Sequence, residues 1–385
     1  MIERRTGAPS RGGLLQADPL ERAKALYDLI SGEARESELA GRLTDRAAQA
    51  LQDANLFSML VARSNGGLAA SRAEFFETVE TIAKADGSAG WCLSVCATTA
   101  FVVSKAACAE VKQEVFGDGP VALWTSLLSR AQSVAVEGGY RVSGRFGWGS
   151  GSSLARWVVV AEGLPDRDGR QWFRSYVVPK SDVDCDLESW KPMGLEATAS
   201  IDYAICDKFV PTHRSFEYPF MQPAPPDAFS AQLGAFLNQV GLTGFATGVG
   251  ERALSELLAA APKIRRTLGE GTQAEDGVVQ YGIGEHEGRL RAARAHYLNL
   301  LGAQDRYIAA HGAPSPAISL DLQQAALTLT RAARDMTVFA FDFAGTNVVM
   351  KSDPLQRCLR DIFAGLKHVA FTPGLHAPTG KARLG

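Results

Sequence analysis

The spacing of apolar residues changes twice along this 385-residue chain, and that change constrains the fold more than any other feature. From Pro19 to about residue 115, apolar residues recur at the three- and four-residue intervals typical of α-helices. Near Pro120 the pattern becomes that of short β-strands separated by Gly, Asp and Pro turns. After the proline-rich linker that begins at Pro223, helical spacing returns. The order predicts an α+β fold.

We expect three domains and a tail, because a chain of this length suits more than one core. The boundaries are 1–17 for a flexible tail, 18–118 for an N-terminal helical domain, 119–217 for a central antiparallel β domain, and 218–385 for a C-terminal helical bundle domain. The predicted strands are Val121–Trp124, Ser133–Val136, Tyr140–Gly144, Trp157–Ala161, Trp172–Val178 and Ile201–Val210. Four helices are predicted for the bundle, namely Gly244–Ala261, Val278–His311, Ser319–Phe343 and Pro354–Val369.

Composition excludes several classes of function. Forty basic and 42 acidic residues give a net charge of −2 without a basic stretch, so nucleic acid is not expected as a partner. The six cysteines are scattered without metal-ligand spacing, which predicts no metal site and reduced thiols in a cytoplasm. No signal peptide or membrane span is expected. Four glycines between Gly241 and Gly250 follow no strand, so they do not indicate a dinucleotide site.

One glycine-rich stretch, residues 138–157, carries candidate binding groups. A Gly-Gly turn and a strand lead into the loop 147–153, which holds Trp148, Ser150 and Ser152. Glycine allows backbone to approach a flat ligand, and the serine hydroxyls can donate or accept hydrogen bonds. An ordinary hairpin loop would have the same composition, so this stretch alone does not decide between the two.

Four stretches together resemble a known family. They are Asp86-Gly87-Ser88 with Trp91; Gly138–Phe146 with Ser150, Gly151 and Trp157; Trp190–Leu195 with Thr198 and Ser200; and Asp353–Arg357 with Arg360, Asp361 and His368. In this order they resemble motifs of the acyl-CoA dehydrogenase fold superfamily. The resemblance is closer to its flavin-dependent monooxygenase branch, the oxygenase components of two-component hydroxylases of the hydroxyphenylacetate and indole types. It covers the chain from about Leu20 to Thr372.

The resemblance implies a function and its cofactors. Such an enzyme uses reduced flavin, FMNH₂ or FADH₂, and O₂ through a C4a-hydroperoxide to oxygenate a small aromatic or heteroaromatic substrate, indole-like or phenolic. A separate NAD(P)H:flavin reductase supplies the reduced flavin, and the usual assembly is a homotetramer.

The resemblance also implies site residues. Ser150, near flavin N5, and His368, near the substrate, are the implied catalytic residues. The implied cofactor-binding residues are Trp124, Ser126, Trp148, Ser150, Thr198, Ser200 and Arg266. The implied substrate pocket contains Trp91, Cys96, Thr98 and His368. One departure concerns the loop before Ser200, where the family's glycine is Ala199 here.

Structural interpretations of the same residues remain open. His368 could instead interact with a helix dipole, Trp124 could be a core residue, and Arg266 could belong to a solvated charge cluster.

The main alternative is an acyl-CoA dehydrogenase-like FAD flavoprotein, which needs a carboxylate base. The segment 366–371, where many members carry that base, has no carboxylate, and the resemblance makes Asp361 structural, paired with an arginine. A second alternative is a helical scaffold without flavin. Within the monooxygenases, several phenol-hydroxylating members carry a second histidine in the helix that here reads Leu93–Thr99 without one. Its absence favours an indole-like substrate over a phenol.

Overall fold

The computed structural model describes residues 16–117, 122–125, 131–167, 170–219, 237–266 and 270–384. Most of the predicted tail, the proline-rich linker and Ser126 lie outside these ranges.

Five α-helices are seen in the described part of the N-terminal region. They are α1 (Pro19–Ala40), α2 (Asp45–Asp53), α3 (Arg72–Ala85), α4 (Gly87–Ala106) and α5 (Ala109–Phe116). Ser71 and Glu74, which have the Ser-x-x-Glu spacing of a capping box in the sequence, form that capping box at the start of α3. Asp86 ends α3 and caps α4, because its side chain accepts a hydrogen bond from the backbone of Ala89. These caps turn the chain sharply between the two helices, which places the first turns of α4 in the interior.

The central region forms two four-stranded sheets. The strands are β1 (Leu123–Thr125), β2 (Gln132–Val136), β3 (Gly139–Gly149), β4 (Trp157–Arg167), β5 (Arg170–Pro179), β6 (Asp184–Asp186), β7 (Ile201–Pro211) and β8 (Ser215–Pro219). One sheet has the order β1-β4-β5-β8 and the other β2-β3-β7-β6.

The sheets differ from the sequence-based prediction in three ways. All pairings are antiparallel except that of β1 with β4, which is parallel. The reason is that β2 and β3 cross to the second sheet before the chain returns as β4. Strands β6 and β8, which were not predicted, are short edge strands of three and five residues. Strand β3 continues to Gly149, so it includes the first part of the predicted loop.

The C-terminal region is helical. It contains α6 (Leu237–Ala260), α7 (Gly277–His311), α8 (Pro316–Phe343), α9 (Pro354–Gly365) and α10 (Ala377–Leu384). The first four correspond to the predicted bundle helices, and α9 ends four residues before the predicted Val369 because the chain turns into a 3-10 segment there.

Helix α6 packs very closely on α3. A Cβ atom built at Gly248 would lie 2.3 Å from the carbonyl oxygen of Glu80, which no side chain could tolerate without moving a helix. The glycines of α6 therefore serve helix packing, in agreement with the absence of a dinucleotide motif.

One hydrophobic core runs through all three regions. It includes Phe75 of α3, Trp124 of β1, Tyr203 of β7, Phe245 of α6 and Leu327 of α8. Among the described helices one, Gly87–Lys105 within α4, is long and apolar enough to cross a membrane, but 83% of it is buried in the protein. We therefore interpret α4 as a core helix.

Candidate active site

Four segments from different parts of the chain meet at one place. They are the first turns of α4, the turn after β3, the loop before β7, and the segment after α9. The residues that come together are Trp91, Ser150, Thr198, Ser200 and His368. All five belong to the motifs singled out in the sequence.

The polar groups form one continuous chain of hydrogen bonds. The indole Nε1 of Trp91 donates to the Ser150 hydroxyl at 3.1 Å. The hydroxyls of Ser150 and Ser200 are 2.6 Å apart, as are those of Ser200 and Thr198. Thr198 Oγ1 then donates to the carbonyl oxygen of Leu195 at 2.8 Å. Because these hydroxyls are buried, this pairing offsets the cost of removing them from water.

Left-handed backbone shapes the two loops that carry the hydroxyls. Trp148, Leu195 and Ala199 have φ values of 60°, 58° and 46°, which cost energy for residues other than glycine. Ala199 thus keeps a backbone conformation that a glycine would favour, although it departs from the family pattern. Hydrogen bonds between the loops stabilise it: Gly151 N donates to Thr198 O at 2.9 Å.

Two further contacts fix the turn after β3. Ser152 Oγ donates to the carbonyl oxygen of Ala199 at 2.7 Å, and Lys180 Nζ donates to that of Ser152 at 2.7 Å. The predicted pocket residue Cys96 is fully buried behind the turn, and a Cβ atom at Gly151 would lie 2.6 Å from its sulfur. Glycine is therefore required at position 151. Sequence reasoning missed Lys180, because its contact with the turn arises only from the pairing of β4 with β5.

His368 contacts the same indole ring from the C-terminal side. Its ring lies edge-on to Trp91 with a centroid distance of 5.7 Å, and Phe245 packs against Trp91 at 5.2 Å. The backbone amide of Ala370 donates to His368 Nδ1 at 3.1 Å, so the neutral ring carries its proton on Nε2. Burial lowers the pKa of His368 to about 4. At neutral pH the imidazole is uncharged and can donate a hydrogen bond, which argues against a helix-dipole role.

Helix α9 also holds the loop before β7. The backbone amide of Leu195 donates to Asp361 Oδ1 at 2.6 Å, and Arg360 donates to Glu196 at 2.6 Å. Arg360 also pairs with Glu38 of α1. Asp361 is therefore structural, as expected, but its hydrogen-bond partner is a backbone amide and not the expected arginine. Burial raises the pKa of this carboxyl to about 7.

The side chains of the other predicted site residues are not part of this chain of hydrogen bonds. Trp124 is fully buried and packs edge-on against Tyr203 at 5.1 Å, as a core residue does. Trp148, near the end of β3, is 76% exposed. Thr98 Oγ1 donates to the carbonyl oxygen of Ser94 within α4. Ser126 lies outside the described residues.

The predicted phosphate ligand, Arg266, already has an acidic partner. Its guanidinium lies 3.0 Å from a carboxylate oxygen of Asp276. Its role toward a flavin phosphate stays a prediction.

Comparisons with known proteins show which proteins this chain resembles. The family described as "Acyl-CoA dehydrogenase, C-terminal domain" matches residues 240–373. The oxygenase subunit HsaA of a flavin-dependent monooxygenase from Rhodococcus jostii is 32% identical over 52% of this chain and 53% of its own length. Indole-3-acetate monooxygenase from Pseudomonas putida is 28% identical over 90% of this chain and 88% of its own length. The crystal structure of 3-HSA hydroxylase from Rhodococcus sp. RHA1 covers 96% of this chain and 97% of that chain, with a TM-score of 0.85 and 25% identity.

Residues 240–373 match the acyl-CoA dehydrogenase family, and the chain is a flavin-dependent monooxygenase with an acyl-CoA dehydrogenase-like fold. The predicted fold class, enzyme class and flavin cofactor of this monooxygenase are thereby confirmed.

The hydrogen-bonding groups of the cluster fit a flavin. A flavin ring is flat and carries nitrogen and carbonyl groups along one edge. Ser150 and the neutral His368 offer one hydroxyl and one ring N–H for such an edge, and Trp91 provides an aromatic wall. The residues present therefore suit reduced flavin as a cofactor, in agreement with the family.

Proposed function

We propose that this monooxygenase is the oxygenase component of a two-component system that oxygenates a small aromatic or heteroaromatic molecule. The observation that carries the proposal is the contact of Ser150 and His368, which are far apart in sequence, with the same Trp91 ring. The flavin ring would lie along Ser150, and the substrate would lie on the side of His368.

When bound, reduced flavin would supply the two electrons that O₂ needs for one oxygen atom to enter the substrate and the other to leave as water. The protein residues have distinct tasks around it. Ser150 orients the ring through its hydroxyl, which Trp91 and Ser200 hold in place. His368 donates a hydrogen bond from Nε2, because its low pKa keeps the ring neutral at pH 7. The buried setting of the cluster excludes water, which protects reactive oxygen species from loss to solvent.

The preferred substrate is indole-like and neutral. Residues 93–99 of α4 contain no histidine, and His368 is a weak base because its pKa is about 4. A phenol therefore finds no strong base in this cluster to take its proton. The relative named indole-3-acetate monooxygenase supports this substrate class. Phenols are the second class, since another relative is named a resorcinol hydroxylase.

A coupled assay tests this proposal. The purified chain, a flavin reductase, NADH and flavin would be supplied with indole or with phenol, and oxygenated product would be measured. We expect higher kcat/KM with indole. A higher kcat/KM with phenol would overturn the substrate class, and no product with either, together with no binding of reduced flavin, would overturn the proposed reaction.

The assembly is proposed to be a homotetramer in the cytoplasm, supplied with reduced flavin by a separate reductase. Apolar side chains at the start of α7 support an assembly through the bundle, since Val278 and Tyr281 are 64% and 71% exposed. Light scattering should give about four times the chain mass of 41.1 kDa, and a monomeric mass would contradict this.

A further inference from the structure

The direction of every proton in the hydroxyl chain follows from its fixed end. The carbonyl oxygen of Leu195 can only accept, so the 2.8 Å contact with Thr198 must be bridged by the Thr198 hydroxyl proton. A hydroxyl has one proton. The 2.6 Å contact between Thr198 and Ser200 must therefore be bridged by the proton of Ser200.

The same argument applies one step further along. Because Ser200 donates to Thr198, it can only accept from Ser150 across their 2.6 Å contact. The Ser150 proton is thus committed to Ser200. At the opposite end Trp91 Nε1, which can only donate, contacts Ser150 at 3.1 Å. The donation from Trp91 is compatible with the direction that the Leu195 carbonyl imposes, from Trp91 to Leu195.

This direction leaves Ser150 without a proton for any other partner. Its hydroxyl accepts from Trp91, donates to Ser200, and keeps one lone pair. Ser150 is also the most exposed of the three hydroxyl residues, at 8% against 3% for Ser200 and 1% for Thr198. A ligand that reaches the chain therefore meets Ser150 as a hydrogen-bond acceptor.

We propose that the chain from Trp91 through Ser150 and Ser200 to Thr198 makes the site select reduced flavin over oxidised flavin. This inference rests on the proposed placement of Ser150 near flavin N5. In the reduced flavin N5 carries a hydrogen and donates, whereas in the oxidised flavin N5 has only a lone pair. Because Ser150 can only accept, it forms a hydrogen bond with N5 of the reduced flavin. With the oxidised flavin, the lone pair of Ser150 faces the lone pair of N5, and no proton lies between them. Ser200 and Thr198 are positioning residues that act through Ser150.

The variant Thr198→Val tests the direction of the chain. Valine has nearly the shape of threonine but cannot accept from Ser200. The Ser200 proton can then turn toward Ser150, which releases the Ser150 proton for oxidised N5. The Leu195 carbonyl is not orphaned, because it still accepts from Thr198 N at 3.1 Å and from Trp190 Nε1 at 3.1 Å.

Two variants provide matched controls. Thr198→Ser keeps the hydroxyl and should keep the wild-type preference for reduced flavin. Ser152→Ala removes a hydrogen bond between the same two loops without touching the chain, since Ser152 Oγ donates to Ala199 O.

The measurement is the dissociation constant of each protein for FMN and, anaerobically, for FMNH₂, with FAD and FADH₂ as a second pair. The readout is the ratio of oxidised to reduced dissociation constants. We expect wild type to prefer reduced flavin and Thr198→Val to lower the ratio by roughly three- to tenfold, the value of one hydrogen bond. A tenfold change corresponds to about 30 mV in the two-electron potential of the bound flavin. Thr198→Ser and Ser152→Ala should keep the wild-type ratio.

Unchanged selectivity in a folded Thr198→Val protein that still binds reduced flavin would overturn the inference while leaving the proposed function intact. Failure of wild type to bind reduced flavin would overturn both. A second test needs no variant: 5-deaza-FMN has carbon in place of N5, so wild type should discriminate its two redox states at least threefold less than those of FMN. Equal discrimination would show that N5 is not the group selected.

Discussion

At the scale of single residues, His368 connects the site to stability. Its pKa of about 4 in the folded protein lies below the ordinary value of 6.5. Between these values the unfolded chain binds the proton more readily, so the free energy of unfolding falls as pH drops from about 6.5 toward 4. This loss is the cost of keeping a neutral imidazole beside Trp91.

His368→Gln tests that cost. Between pH 7.5 and pH 5.5 wild type should lose about 1 kcal/mol from His368, and the variant should lack this part of the loss. Urea unfolding at both pH values measures it, with His311→Gln at the exposed end of α7 as the control. An equal pH dependence of wild type and His368→Gln would contradict a half-buried, neutral His368.

At the scale of elements, the contact between α3 and α6 should be sensitive to one methyl group. Gly248→Ala places a Cβ atom 2.3 Å from the carbonyl oxygen of Glu80, which should cost at least about 2 kcal/mol of the free energy of unfolding. Gly32→Ala on α1, where nothing lies within 4 Å, should instead add about 0.5–1 kcal/mol. Unfolding curves decide this. A Gly248→Ala protein as stable as wild type would mean that the two helices are not in such close contact.

The elements also show what the sequence can predict. Ser71 and Asp86 indicated the starts of α3 and α4, because capping is a local interaction. The parallel pairing of β1 with β4 depends on where β2 and β3 lie, and no local pattern encodes that. The residues of the hydrogen-bonded cluster all lie in the sequence motifs, but the motifs did not predict the hydrogen bonds between them. Trp91 and Ser150 are separated by 59 positions, and only the fold brings their polar atoms to 3.1 Å.

At the scale of the whole molecule, the site depends on all three regions at once. The N-terminal helices provide Trp91, the sheets provide the hydroxyls, and the C-terminal region provides His368 and the clamp from Asp361 to Leu195. Because one hydrophobic core joins these regions, their relative positions are fixed by packing. The hydrogen-bond chain is therefore preorganised by the fold, which is what a site that controls oxygen chemistry requires.

Stopped-flow absorbance tests the central claim, that this protein controls the reaction of reduced flavin with O₂. The protein would be mixed anaerobically with FMNH₂ or FADH₂ and then with oxygenated buffer. We predict a transient absorbance band that precedes oxidised flavin, differs from it, and shortens in lifetime in Ser150→Ala. Direct appearance of oxidised flavin, at the rate of free flavin and without a transient band, would contradict the account.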